Sequence, residues 1–314
     1  KRQLGQQQAM LRADRQAKVA ATVSQLWLEG YRAEQSMALI ERTRPLFEQL
    51  LTLSRSNYGA GLARAGQQDI ISAELALSRL DDRLLMLQQQ RDTARDQLSE
   101  WLGTEAITAF STDTFRDIHI RDIKDRRLAS ALQAHPAIRA IEQTIAVAQS
   151  DVALRQEQYK AEWAVNAKYA HRADDPLGND RADLFSIGVS VDLPLFTAKR
   201  QDQNLSAAQA RAEANRTDKA LLLRKMMANL KTQFNRLQGI DERLTLYNSR
   251  LLREARKQVS VNLNAYQNDK GDFREVIQAQ IDALNVDIDA LNLRIDRQKT
   301  SVNIAYLLAG EHHE

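Results

Sequence analysis

Histidines and paired carboxylates are the side chains here that could bind a metal or move protons. His119, His135, His171, His312 and His313 have no spacing that sets two ligands and a carboxylate on one helical face, and Glu311-His312-His313-Glu314 reads as a solvated end. Cys 0 removes disulfides, thiolate metal sites and a cysteine nucleophile, while leaving the redox compartment undecided. A phosphate loop, a nucleophile elbow and an HExxH motif are missing from the sequence. Paired carboxylates occur throughout, as wet helices require, and single out no acid and base. These residues predict no catalytic site, no metal centre and no cofactor. Asp269, Asp272 and Glu275 gather beside one glycine-containing turn, where they solvate the loop and Asp272 can cap the next helix through a free N–H.

Composition limits the scaffold around them. In 314 residues, Gly 11 and Pro 4 are too few for the turns of a compact mixed fold, so long helices are the economical reading. Aromatics at 5% and a mean hydropathy of -0.49 fit helices that each bury only a stripe. The net charge of +3 comes from 44 basic and 41 acidic residues mixed along the chain, without the one-sided basic face that nucleic acid requires. No run of about 18 apolar residues occurs, so a membrane role would have to use strands. The chain opens on Lys1-Arg2-Gln3 without a signal sequence, which in an exported protein reads as a start removed by processing or truncation.

Heptad spacing is the strongest pattern. Ile70, Leu77, Leu84 and Leu98 form one column, and Ala73, Leu80, Leu87, Ala94 and Trp101 the other, in steps of three and four. A second seam runs Ile277, Ile281, Leu284, Ile288, Leu291, Ile295, Val302 and Ala305, interrupted by Gln298. Another helical stretch precedes each: Val19, Leu26, Ala33, Ile40 and Phe47, then Leu223, Leu230, Leu237, Leu244 and Leu251. Two antiparallel helical hairpins follow, with turns at 58–66 and 266–272 and with Pro45 expected to kink or interrupt the first arm. Lys1-Arg2-Gln3 recurs as Lys199-Arg200-Gln201, and Asp69 to Glu74 parallels Glu275 to Gln280, so the hairpins read as an internal duplication. Arms of about 50 to 60 residues would reach on the order of 80 Å.

Between the copies the character changes. Residues 104–134 read as an irregular connector after the first hairpin at 1–103, and a helix occupies 135–160. Two alternating runs fill 161–196: Trp163, Val165, Ala167 and Tyr169, then Phe185, Ile187, Val189, Val191 and Leu193, with a polar loop over 173–182. Each is about 9 to 11 residues, the length of a tilted membrane-spanning strand, and apolar on one face. The other reading is a soluble hairpin packed on a helix. The second helical hairpin takes 197–310 and the tail 311–314.

The run Phe185 to Phe196 followed by Lys199-Arg200-Gln201 resembles the strand-to-helix junction of the TolC family of outer-membrane efflux proteins. Ala265-Tyr266 to Gly271-Asp272-Phe273-Arg274 resembles that family's inner hairpin tip, and His135-Pro136 its second-repeat opening. The fold implied is mainly α: two long antiparallel coiled-coil hairpins with one inserted membrane β-hairpin, in an α-barrel/β-barrel duct. The resemblance implies a homotrimer in the outer membrane of a Gram-negative bacterium, with its helices in the periplasm. It also implies contact with lipid, with a periplasmic adaptor and with an inner-membrane pump, and passive export of metal ions or drugs without chemistry. The junction and tip look most like the branch serving heavy-metal exporters.

Threefold symmetry would repeat Asp269, Asp272 and Glu275 as rings of carboxylates at a gate. Adaptor docking would fall on Arg55, Tyr58, Gly61, Gly66, Tyr266 and Gly271, where the plainer reading is that glycine permits the turns and tyrosine packs. Trp163, Val165, Tyr169, Phe185, Ile187, Val189, Val191 and Leu193 would face lipid. The sequence departs from the family by holding one of two expected β-hairpins, as if the first lay ahead of Lys1, and by Glu162 where a proline is common. A periplasmic adaptor and a purely structural coiled coil are the alternatives. The first would bring several β-domains, and the second would not need the alternating strands.

Overall fold

The computed structural model describes residues 2–60, 66–103, 110, 125–172, 181–268 and 270–310. Its elements run α1 (Arg2–Gly59), α2 (Gln67–Leu102), α3 (Asp125–Ala134), α4 (Pro136–Glu157), β1 (Glu162–Ala170), β2 (Leu184–Asp192), α5 (Gln201–Leu246), a π turn (Tyr247–Leu251), α6 (Leu252–Gln267) and α7 (Phe273–Leu307). Two compact units divide the chain: residues 1–12 with 136–224, and residues 13–135 with 225–314.

In the larger unit the predicted seams become the core. Ala73, Leu80, Leu87 and Ala94 are buried along α2, with Leu77 and Leu84 half-buried beside them. Against them lie Ile40, Phe47 and Leu50 of α1 and Phe273, Ile277, Leu284 and Ile288 of α7. A second cluster joins Leu28, Tyr31, Leu98, Phe110, Ile295 and Val302. Each such side chain contributes roughly 1.5–3 kcal/mol on burial, which is why the heptads set the pairing. Two stripe residues leave the seam: Trp101 is 43% exposed and Val19 37%. Trp101 sits in the last turn of α2, beside Gly103, whose left-handed φ of 79° ends the helix.

α7 lies between partners. Asp296 and Lys299 pair with Arg32 and Glu29 of α1, Asn285 accepts from Arg83 of α2 at 2.8 Å, and Arg297 pairs with Asp241 of α5 at 2.7 Å. Its side chains are accordingly buried on several faces, including Gln298, Thr300 and Ser301.

Two expectations give way. α1 continues through Pro45, so of the kink or interruption expected there the interruption does not occur. Proline removes one helical hydrogen bond at about 3 kcal/mol. Ile40 and Phe47, both 0% exposed on either side of it, outweigh that loss. The connector also ends in a helix rather than staying irregular to residue 134, because Leu128, Ala131 and Leu132 share the buried face of α3.

In the smaller unit α4 buries Ile138 and Ala140, while Ala208 and Ala212 are buried along α5. Lys219 pairs with Glu142 at 2.7 Å, the Gln7 amide donates to Thr144 at 2.9 Å, and the Tyr159 hydroxyl donates to Asp202 at 2.6 Å. β1 and β2 form one antiparallel ribbon in register Glu162↔Asp192 through Ala170↔Leu184.

Candidate functional site

The second hairpin turn is held from both sides. Asp272 is the N-cap of α7: one carboxylate oxygen accepts the Arg274 N–H at 2.9 Å, and the other lies 3.4 Å from its guanidinium. Glu275, one turn in, is exposed, and its backbone carbonyl accepts the Asn262 amide at 3.1 Å. Asp272 and Glu275 thus stand together at the positive end of the α7 dipole. Asp269 lies outside the described residues. Gly271 is required by space: a Cβ there would come 2.9 Å from the Tyr266 nitrogen and 3.0 Å from the Ala265 Cβ. Phe273 is buried and meets Tyr266 edge-on at 5.4 Å.

A side-chain hydrogen bond joins the last turn of α1 to the second turn. The Asn57 amide donates to the Tyr266 hydroxyl at 3.2 Å, so Tyr266 bridges α1, α6 and α7. Arg55 spans α1 to α2 through Glu74 at 2.7 Å, Tyr58 is half exposed, and the N–H of Gly66 donates to the Asp69 carboxylate at 3.2 Å. Gly61 lies outside the described residues. Sequence reasoning missed Asn57, Asn262 and Asp69. Only Asp69 carried a local signal, as an acid in the first turn of α2.

The β-ribbon sorts its side chains by face. The register pairs Trp163 with Val191, Val165 with Val189, Ala167 with Ile187 and Tyr169 with Phe185, so every predicted apolar position within the strands lies on one side. The large ones are all exposed, from 40% at Val191 to 75% at Val165. On the other face Asn166 opposes Gly188, Lys168 opposes Ser186, and Glu162 opposes Asp192. Leu193, expected as a strand residue, is instead the first residue beyond β2. Pro194 has no N–H for the ladder, and the Leu195 N–H turns back onto the Leu193 carbonyl at 2.8 Å. Phe196 follows, 94% exposed and left-handed at φ 63°, a costly conformation for a bulky residue.

At the loop end, Asp183 accepts from the Tyr169 hydroxyl, from His171 Nδ1 at 2.9 Å and from the Arg172 N–H at 3.1 Å. The Tyr169 hydrogen bond, with the Arg172 N–H behind it, holds the Asp183 carboxyl below the ordinary range.

A buried polar cluster lies at the start of the second repeat. His135 is fully buried, with Nε2 3.1 Å from the Tyr306 carbonyl and its ring edge-on to the Tyr306 ring at 5.2 Å. The Tyr306 hydroxyl donates to Asp14 at 3.0 Å, and Asp14 pairs with Lys18 at 2.7 Å. Burial pushes the His135 pKa down and, with Asp14 adding to it, the Tyr306 pKa up. Gly310 packs so closely on Ala134 that a Cβ would sit 2.5 Å from its backbone. Among the described residues no three His, Asp or Glu side chains converge as metal ligands, and no helix is long and apolar enough to cross a membrane.

Comparison with known proteins places this geometry. Residues 128–310 match the family model described as outer membrane efflux protein. The outer-membrane channel OprN superposes with a TM-score of 0.86 at 18% identity, covering 98% of this chain and 69% of that one. CusC gives 0.87 at 15% identity, covering 98% and 72%, and VceC of Vibrio cholerae 0.83 at 17%, covering 98% and 74%. These likenesses establish a shared fold. No curated protein sequence matches the chain. The family model spans more than half of the 314 residues, and the chain belongs to the outer membrane efflux protein family, the TolC-type channels of tripartite efflux systems.

Proposed function

We propose that this chain assembles as a homotrimer into a passive duct whose strands meet lipid and whose helix tips form the gate and the adaptor-docking rim. One observation carries the reading: a ribbon with seven large apolar side chains exposed on a single face. An isolated two-stranded ribbon is marginal in water, and these side chains gain nothing there. Lipid on that face, and further strands along both edges, would supply the missing partners. Trp163 and Tyr169 near the two ends of the strand suit the aromatic girdles of such barrels.

At the second hairpin turn, Asp272 and Glu275 are offered as gate carboxylates, and threefold repetition would make each a ring that attracts cations. Asp269 joins them on family resemblance alone. Arg55, Tyr58, Gly61, Gly66, Tyr266 and Gly271 are offered as the docking rim for a periplasmic adaptor working with an inner-membrane pump. The Asn57–Tyr266 hydrogen bond joins the last turn of α1 to the end of α6 beside this rim.

Substrate choice belongs to the pump, and metal ions are proposed ahead of drugs because the junction at Leu193 to Phe196 and the tip at Gly271 to Phe273 resemble the branch that serves heavy-metal exporters. The deciding experiment is the molar mass by light scattering after gel filtration, in buffer and in mild detergent. A detergent-dependent trimer is expected, and a well-behaved monomer in plain buffer counts against duct assembly. Metal and drug sensitivity of a deletion strain carrying the gene then separates the substrates. Rescue from drugs alone would remove the metal reading.

A further inference from the structure

The side chains that α5 turns toward the interior of the larger unit recur in sevens. Leu230, Leu237 and Leu244 make one column, and Met226, Gln233, Ile240 and Tyr247 the other, all buried or half-buried. Past the π turn the half-buried columns are Leu252, Val259 and Tyr266, and Ala255 and Asn262. From Leu244 to Leu252, and from Tyr247 to Ala255, the step is eight. One residue is surplus to the heptad.

In a continuous α-helix a surplus residue would rotate everything after it by about 100° and carry Tyr266 off α7. The π turn takes up that residue: the Leu252 N–H donates to the Tyr247 carbonyl, five residues back rather than four. Tyr247 and Leu251 are half-buried while Asn248, Ser249 and Arg250 are exposed, so only the inner side of the wider turn is packed. The first repeat has no such surplus. Leu26, Ala33, Ile40 and Phe47 run in sevens through an unbroken α1.

We propose that the π turn at Tyr247–Leu251 is a torsional joint, which keeps the inner face of α6 on α7 while uncoupling the α6 tip segment from α5. The joint sits in one repeat, so of the two tips only the second, carrying Gly271 and Asp272, hangs from it. The widened ring leaves its amides less protected than those of regular helix, and the extra residue can be redistributed by small backbone rotations without unpacking either column. This inference does not depend on the duct reading, since it follows from column phase and hydrogen bonding within one chain.

Hydrogen–deuterium exchange on the intact protein tests it first. Amides from Leu251 to Ala255 are expected to exchange at least about tenfold faster than those from Leu237 to Leu244. Uniform protection across both segments overturns the joint. Deleting exposed Asn248 restores steps of seven, so the variant should fold with unchanged helicity, hold its unfolding temperature within about 3 °C or raise it, and lose the fast-exchanging segment. A fall beyond about 5 °C, or failure to fold, overturns the proposal, because in-phase columns predict tolerance.

Discussion

Asp272 has two separable roles, since a cap needs only an acceptor oxygen whereas a cation ring needs charge. Asp272→Ala should cost about 1 kcal/mol in chemical unfolding, and Asp272→Asn should cost little because asparagine caps nearly as well. In bilayer recordings of the complete duct, Asp272→Asn should lower cation selectivity. Unchanged selectivity would leave Asp272 as a cap alone. His135 makes a prediction in pH. Burial depresses its folded pKa below the ordinary 6.5, with the hydrogen bond to the Tyr306 carbonyl and then Asp14 raising it, and Lys18 lowering it, to smaller extents. Above about pH 6.5 the imidazole is neutral folded or unfolded, and its contribution is complete. As pH falls from there to the depressed value, only the unfolded chain takes up the proton, so stability declines and then levels off. Unfolding midpoints measured from about pH 8 down to about pH 5 should show that decline, and His135→Asn should flatten it. Residue identity at the tip was legible because glycine and aspartate mark turns and caps locally. The Asn57–Tyr266 contact was not, since it joins side chains 209 positions apart and leaves no periodic trace in either segment.

At the scale of elements, seams were read well and their exceptions poorly. Heptads on α2 and α7 predicted which faces are buried, because every seventh side chain must return to the same line of contact. The π turn escaped notice because Leu251 continues the upstream sevens. The surplus shows only when the columns beyond it, through Leu252 and Ala255, are followed to Tyr266. The interruption allowed for at Pro45 does not occur, since local breaking power was weighed without the buried neighbours that oppose it. Phe110 had no readable signal, yet its ring fills the space over Gly30, where a Cβ would lie 2.1 Å from the ring. It also packs beside Trp27, ring centres 6.3 Å apart. Gly30→Ala should therefore cost about 1–3 kcal/mol by overpacking. Phe110→Ala in the same chain should recover part of that loss, which a double-mutant cycle of unfolding free energies would measure.

For the whole molecule, alternation announced a two-stranded ribbon and the family resemblance its place in a membrane, and the register puts every predicted apolar position within the strands on one face. Its boundary at Leu193 was missed because alternation cannot show where a ladder stops for want of an N–H. Val165→Asp, on the most exposed apolar position, should abolish detergent-dependent assembly while leaving the helical content measured by circular dichroism unchanged. Export assays on the complete duct lacking Asn248 should show reduced transport at normal trimer levels, whereas equal transport would separate the joint from opening. The ribbon also governs what happens to the chain before it reaches lipid. Two nine-residue strands with free edges, a greasy face and no charges within them but Glu162, Lys168 and Asp192 are a template for strand addition by other chains. Precipitation should rise steeply with protein concentration in detergent-free buffer, and transit across an aqueous compartment would call for a holdase that covers residues 162–192 until insertion.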